Sequence, residues 1–131
     1  MSLRRWSLVV AVLACLVPGL TLAQGTAARY TPLVAGWERF FTITSETVQS
    51  GGRARVVGTV LNEWGFAAQR VQLLVDGLDA SGQVISQSVV WLGHGVGPGG
   101  RGYFDVPAPP GVRHRVSIFA FDWVQTALTA P

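Results

Sequence analysis

The net charge of this 131-residue chain is small once its first residues are set aside. The whole chain has ten Arg, no Lys and seven Asp plus Glu, and two of the Arg lie in the first five residues. The remainder has eight Arg against the same seven acidic residues, a formal charge of +1. This gives no electrostatic argument for binding nucleic acid or an anionic lipid surface. The length is sufficient for one domain with its own core.

Residues 1–23 have the pattern of a secretory signal peptide. Arg4 and Arg5 supply the positive start, Trp6 to Leu16 form the apolar centre, and Thr21-Leu22-Ala23 places small residues where cleavage would occur. We therefore expect an N-terminal signal helix that is removed after Ala23. The processed domain is then periplasmic or secreted.

Two alternatives would keep the chain at a membrane. The uncharged run from Trp6 to Ala28 is long enough to span a bilayer as a retained anchor. Val12-Leu13-Ala14-Cys15 resembles a bacterial lipoprotein cleavage box, which would place a lipid on Cys15. Small residues at the cleavage site and an apolar run that continues past Cys15 favour ordinary cleavage. Because Cys15 is the only cysteine, the processed domain would contain no disulfide.

The processed part is predicted to contain one folded domain between two less ordered ends. Residues 24–36 form a flexible N-terminal segment, residues 37–124 the domain and residues 125–131 a C-terminal tail. Within the domain, alternating apolar residues between glycine- and proline-rich turns predict six to seven short strands. The strands that can be placed are 37–44, 53–62, 70–78, 83–92, 102–106 and 112–123.

Turn residues separate these predicted strands. Gln49–Gly52 is a predicted turn, and Asp79–Gly82 a predicted type I turn in which the Asp79 carboxylate accepts from the backbone two residues on. Residues 93–102 hold six glycines and Pro98, which predicts a loop. No helical periodicity of useful length follows the signal. The pattern therefore predicts a single antiparallel β-sandwich of the immunoglobulin-like class.

Four short motifs in the predicted domain resemble those of a known family. They are V-V-G-T-V-L-N at 56–62, L-D-A-S-G at 78–82, P-G at 98–99 and the aromatic Phe104. Together they are similar to the FxLYD-type bacterial domains, over about residues 53–122. The chain departs from that family at its name-giving tyrosine, since Leu78 directly precedes Asp79. Those domains are small exported immunoglobulin-like sandwiches, mostly without an assigned activity, so the resemblance implies a fold and no catalytic residues.

The polar residues do not suggest a metal site. The only histidines, His94 and His114, have no cysteine or suitably spaced carboxylate beside them, whereas zinc needs three or four ligands. Asp76, Asp79 and Ser81 superficially suggest calcium. The turn explains Asp79 fully, however, and calcium requires six or more oxygens. We therefore predict no metal and no cofactor.

No catalytic constellation stands out either. Ser88, His94 and Asp122 can be written as a hydrolase triad, but the chain has no nucleophile elbow of the G-x-S-x-G kind. The glycine-rich loop does not open a helix, which argues against phosphate binding. We expect Asp122 to form a structural ion pair with Arg39 or Arg55. The sequence therefore predicts a protein that is not an enzyme.

The aromatic residues carry the strongest functional signal. The last strand has two apolar faces, and a sandwich strand needs only one. The spare face would be covered by the N-terminal segment, by a second subunit or by a ligand. Coverage within the chain is favoured, because large exposed apolar patches are rare on monomers. One face consists of Val116, Ile118 and Ala120, and the other of Phe119, Phe121 and Trp123.

Trp64 and Phe66 form a second aromatic candidate, in the connection after the second strand. They either contact a partner or close the open end of the core, and the second alternative is favoured.

The sequence as a whole predicts an exported non-enzymatic module that binds a protein partner or a second copy of itself, or has a structural role in the cell envelope. The alternative is a carbohydrate-binding module, in which an aromatic ring such as that of Trp64 stacks on a sugar. No nucleic acid is expected as a partner, and membrane contact would come only through an uncleaved signal or a lipid on Cys15. The predicted contact residues are Trp64, Phe66, Phe119, Phe121 and Trp123.

Overall fold

A computed structural model describes residues 29–125, which form six antiparallel strands in two sheets. The predicted signal peptide and most of the predicted tail lie outside the described residues, and the predicted segment and domain boundaries stay predictions. The structure confirms the predicted all-β class and β-sandwich architecture. The strands are β1 (Phe41–Ser50), β2 (Arg53–Asn62), β3 (Ala67–Leu78), β4 (Val84–Trp91), β5 (Arg101–Pro107) and β6 (Arg113–Val124).

The strand order is β1-β2-β5 in one sheet and β4-β3-β6 in the other. A two-residue turn joins β1 to β2, with Gly51 at φ 59° and Gly52 at φ 77°. Two positive φ values in succession suit the tight hairpin turn that glycine favours. Within residues 29–125, no helix reaches the length and hydropathy of a bilayer-crossing segment.

The core lies between the two sheets and takes side chains from both. Val56 and Val60 of β2 face Leu73 and Val75 of β3, and Ile118 of β6 joins them; all five are essentially inaccessible to solvent. In β2 the buried residues follow the period of two that a strand with one covered face requires, whereas β3 is buried on both faces from Leu73 to Gly77. This alternation accounts for the accurate prediction of β2 from sequence.

At Arg70 of strand β3, the side chains that face the core switch between odd- and even-numbered positions. This residue has φ 49° and is the only non-glycine residue among 29–125 with a positive φ. The pairing of β3 with β6 shifts its register between Gln69 and Gln72, the interval that contains Arg70. Ala68 and Val71 are both fully buried although they lie three residues apart, because the extra residue reverses the alternation.

Strand β6 contains a matching irregularity at Phe119. Gln72 of β3 pairs with Ala120, but the next residue, Leu73, pairs with Ile118, so Phe119 has no opposite residue. Beyond this bulge the parity of β6 changes. Ile118 before it and Phe121 after it therefore both face the core.

The structure differs from the predicted strands mainly at the start of the domain. Trp37–Arg39 form a short 3-10 turn, and β1 begins at Phe41 and runs to Ser50. The predicted strand 37–44 is therefore wrong over its first four residues. The bounds of β1 follow from its partner, because β1 pairs with every residue of β2. The other five strands agree with the prediction to within three residues at each end.

Candidate functional site

The three aromatic residues of β6 have two different surroundings. The ring of Phe119 meets that of Tyr30 edge-on, with centroids 5.9 Å apart. Phe121 and Trp123 pack instead against Phe41 in the core, at 4.9 and 5.6 Å between centroids. The prediction that Phe119, Phe121 and Trp123 share one face is therefore wrong, and the bulge at Phe119 is the reason. The N-terminal segment contacts the face that carries Phe119.

Trp64 and Phe66 lie together at one end of the sandwich. Phe40 packs edge-on against Trp64 at 4.8 Å and against Trp123 at 5.4 Å, and Phe66 lies 6.5 Å from Trp123. We call these four residues the aromatic patch. Trp64 and Phe66 remain 44% and 43% exposed. The patch thus has a half-buried base, formed by Phe40 and Trp123, and two rings that solvent reaches.

A buried asparagine fixes the loop that carries the two exposed rings. The Asn62 side chain is inaccessible to solvent, and its Oδ1 accepts from the backbone N–H of Trp64 at 2.9 Å. Its Nδ2 donates to the carbonyl oxygens of Phe66 at 2.8 Å and Val96 at 3.1 Å. One amide therefore satisfies three backbone groups of two loops, and a fully bonded buried amide holds its surroundings rigidly.

Sequence reasoning missed this role of Asn62, although a signal was present. Asn62 lies on the even-numbered face of β2 with Val56 and Val60, which the alternation assigns to the core. A buried polar residue at the end of an apolar strand requires hydrogen-bond partners, and the following loop supplies them.

The ion pair that Asp122 forms differs from the one expected from sequence. Asp122 accepts from Arg70 Nε at 2.6 Å, whereas Arg39 and Arg55 were the expected partners. Arg55 pairs with Asp105 on β5 instead. The expected pairing of Asp122 is therefore wrong, because β3 is the strand that lies beside β6 at this level.

Hydrogen bonds do not join the residues of the triad considered above. The His94 ring nitrogens face the carbonyl oxygens of Gly95 and Tyr103, at 3.1 and 3.2 Å. The Ser88 hydroxyl is buried and has no hydrogen-bond partner among residues 29–125. Asp122 binds an arginine, as described. The described part of the chain therefore gives this set no catalytic geometry.

The Asp79 carboxylate forms its hydrogen bonds within its own turn. One oxygen accepts from the Ser81 backbone N–H at 2.9 Å, the Ser81 hydroxyl at 2.7 Å and the Gln83 backbone N–H at 2.8 Å. These bonds, the Ser81 hydroxyl foremost, lower the pKa of Asp79 below its ordinary value of 3.8. The predicted turn is confirmed. Residues 29–125 contain no group of three His, Cys, Asp or Glu side chains placed to hold a metal ion.

Asp76 is the most deeply buried charged group described, and sequence reasoning gave it no role. It is 4% exposed, with one carboxylate oxygen accepting from Arg115 Nη2 at 2.8 Å and the other from Gln87 Nε2 at 2.9 Å. Its neighbour on the same face, Leu74, is also buried. The outer face of the β4-β3-β6 sheet is therefore covered here, by residues that include Trp37 and the segment before it.

Comparison with protein-family models, curated proteins and solved structures finds no match for this chain. The features that bear on function are therefore the geometry of the patch and of the covered sheet face.

Proposed function

We propose that the protein is an exported, non-enzymatic β-sandwich module that binds a protein partner through the aromatic patch. The observation that supports this is the presentation of Trp64 and Phe66, each more than two-fifths exposed, on a loop that buried Asn62 holds in place. A loop backbone already held in one conformation loses little freedom on binding, so more of the gain from burying its rings appears as affinity.

The chemistry of the patch suits a protein surface. Aromatic residues are enriched at the centres of protein interfaces and contribute much of their binding energy. Polar groups flank the rings: Glu63 accepts a hydrogen bond from Thr42 at 2.8 Å, and Asp122 is paired with Arg70. An apolar centre with a polar rim is the arrangement that such interfaces share. Export through residues 1–23 and membership of the FxLYD-type domains are parts of the same proposal.

The test is a double substitution, Trp64→Ala with Phe66→Ala. We expect at least a tenfold loss of partner capture from an envelope fraction. The control is Trp91→Ala, which removes an exposed indole from the edge strand β4 and should leave capture unchanged. Capture that survives the double substitution in a folded protein would contradict the proposal.

A carbohydrate ligand is the second candidate, and the position of Trp64 favours it. Its indole is held edge-on by Phe40 while 44% of the residue stays exposed, as a stacking platform requires. Titration with cell-wall glycans should then change the tryptophan fluorescence of the wild type and of Trp91→Ala, but not of Trp64→Ala. No response to any glycan would eliminate this candidate and leave the protein partner.

A further inference from the structure

Residues 29–33 cross the outer face of the β4-β3-β6 sheet, and we call them the strap. The Tyr30 backbone N–H donates to Gln87 Oε1 at 2.8 Å, and Gln87 Nε2 donates back to the Tyr30 carbonyl oxygen at 2.9 Å. The Leu33 N–H donates to the Phe119 carbonyl oxygen at 2.8 Å. The Gln87 side-chain amide thus hydrogen-bonds to both the backbone N–H and the carbonyl oxygen of Tyr30, as a residue of a neighbouring strand would.

Hydrogen bonds centred on buried Asp76 fix the Gln87 amide before any peptide reaches it. Its Nε2 also donates to Asp76, which is itself bonded to Arg115. Because a carboxylate only accepts, the NH2 of Gln87 must point toward Asp76, and the amide oxygen is left for an incoming N–H. The amide therefore offers one donor and one acceptor in a set orientation, which makes it a site for peptide backbone.

The strap fills this site incompletely. Tyr30 is 52% and Leu33 69% exposed, so most of their side-chain surface lies away from the sheet. A cavity of about 350 Å³ lies among the strap, Trp37 and the outer face near Leu74. Backbone hydrogen bonds and the contact of Tyr30 with Phe119 hold the strap. A second chain that offers the same backbone and an aromatic ring at that position can make the same contacts.

We propose that this groove is a peptide-binding site, that the strap is its intramolecular occupant, and that the strap of a second copy replaces it. A second copy offers the identical sequence and hence the same bonds. The strap leaves the groove at Gly36, whose φ of 78° lies in the left-handed region and turns the chain toward Trp37 and β1. Exchange needs only a change of conformation at this pivot, as in domain swapping. The proposal is independent of the aromatic patch.

The first test uses a fluorescent peptide of sequence RYTPLVA, residues 29–35, added to the protein purified after expression of the full chain. The wild-type strap competes at an effective concentration in the millimolar range, so wild type should bind the peptide weakly. Tyr30→Ala weakens the strap and should bind the peptide at least tenfold more tightly. Gln87→Leu should abolish binding, whereas Gln49→Leu, the same change on exposed β1, should not.

A modified peptide keeps the test decisive if Gln87→Leu fails to fold. Methylation of the tyrosine backbone nitrogen removes the donor to Gln87 Oε1 and leaves the protein untouched. We expect the methylated peptide to bind the Tyr30→Ala protein at least tenfold more weakly than the unmodified peptide does. Equal binding of the two peptides, or no saturable binding of the unmodified one, would overturn the proposal.

The second test asks whether a second copy is the occupant. Gly36→Val strains the left-handed pivot and should raise the dimer fraction in sedimentation several-fold over wild type. Adding Gln87→Leu to it should return the protein to monomer, and adding Gln49→Leu should not. A Gly36→Val protein that binds the peptide yet stays monomeric at every concentration would show that another chain is the occupant, against the proposal.

Discussion

Gly58 on β2 lies directly opposite Phe104 on β5, and the ring of Phe104 covers the backbone at Gly58. A Cβ at this position would lie 2.8 Å from the ring Cζ and would overlap the carbonyl oxygen of Thr44. The Thr44 backbone is fixed by the pairing of β1 with β2, so the strands would have to shift. We expect Gly58→Ala to lower the free energy of unfolding by about 2–3 kcal/mol, measured by urea denaturation.

Gly65 supplies the control for this substitution. It lies in the loop between β2 and β3, and a Cβ there would meet no atom within 4 Å. Gly65→Ala should change the free energy of unfolding by less than about 0.5 kcal/mol. Similar losses at both positions would show that the close approach of Phe104 and Thr44 is not what requires glycine at 58.

Asn62 should contribute to stability out of proportion to its size. Asn62→Ala removes the partner of the Trp64 N–H and of the Phe66 carbonyl oxygen, and leaves the Val96 carbonyl oxygen with the Ala68 N–H as its donor. We expect a loss of about 3 kcal/mol in the free energy of unfolding, and faster hydrogen exchange at the Trp64 amide. Gln69→Ala, which removes an exposed amide from β3, should alter neither measurement. Unchanged exchange at Trp64 would mean that the loop is held by something other than Asn62.

The sequence predicts those parts of the fold that depend on local pattern. Strand β2 was located correctly because its alternation is uninterrupted between the glycine turn and Asn62. The turn at Asp79 was recognised because its hydrogen bonds form within five residues. Both features are determined by side chains close together in the chain, which is what a single sequence displays.

The features that were missed depend on strand pairing. The changes of face in β3 and β6 arise from bulges at Arg70 and Phe119 respectively, and neither residue signals a bulge by its type. The partner of Asp122 lies 52 residues away on a strand whose position only the sheet order reveals. For the site, the sequence identifies Trp64 and Phe66 as candidate contact residues while favouring a role in closing the core, but the buried amide that holds their loop is visible only once its partners are placed.

Phe121 should behave as a core residue, in contrast to Phe66. Its ring packs against Phe41 and Trp123 at 4.9 and 4.7 Å and belongs to the contacts of the buried cluster. Phe121→Ala should lower the free energy of unfolding by about 2–3 kcal/mol, since the substitution leaves a cavity between the sheets. Phe66→Ala, which removes a ring that is already well exposed, should cost less than about 1 kcal/mol. A larger loss at Phe66 than at Phe121 in urea denaturation would reverse the assignment of core and surface.

The stabilising effect of the Asp79 turn should depend on pH. Its hydrogen bonds, that from the Ser81 hydroxyl first, hold the pKa of Asp79 below 3.8 in the folded protein, while the unfolded chain has the ordinary value. A carboxyl group with a depressed pKa in the folded state contributes stability at pH values above the unfolded pKa, and this contribution disappears as the pH falls through the folded pKa. Asp79→Asn keeps an acceptor but no charge, so it should be less stable than wild type near pH 7, and the difference in unfolding free energy should narrow below about pH 4.

Urea denaturation at several pH values measures this difference, with Glu46→Gln on exposed β1 as the control. A difference between wild type and Asp79→Asn that stays constant down to about pH 2 would show that the charge of Asp79 does not strengthen the turn.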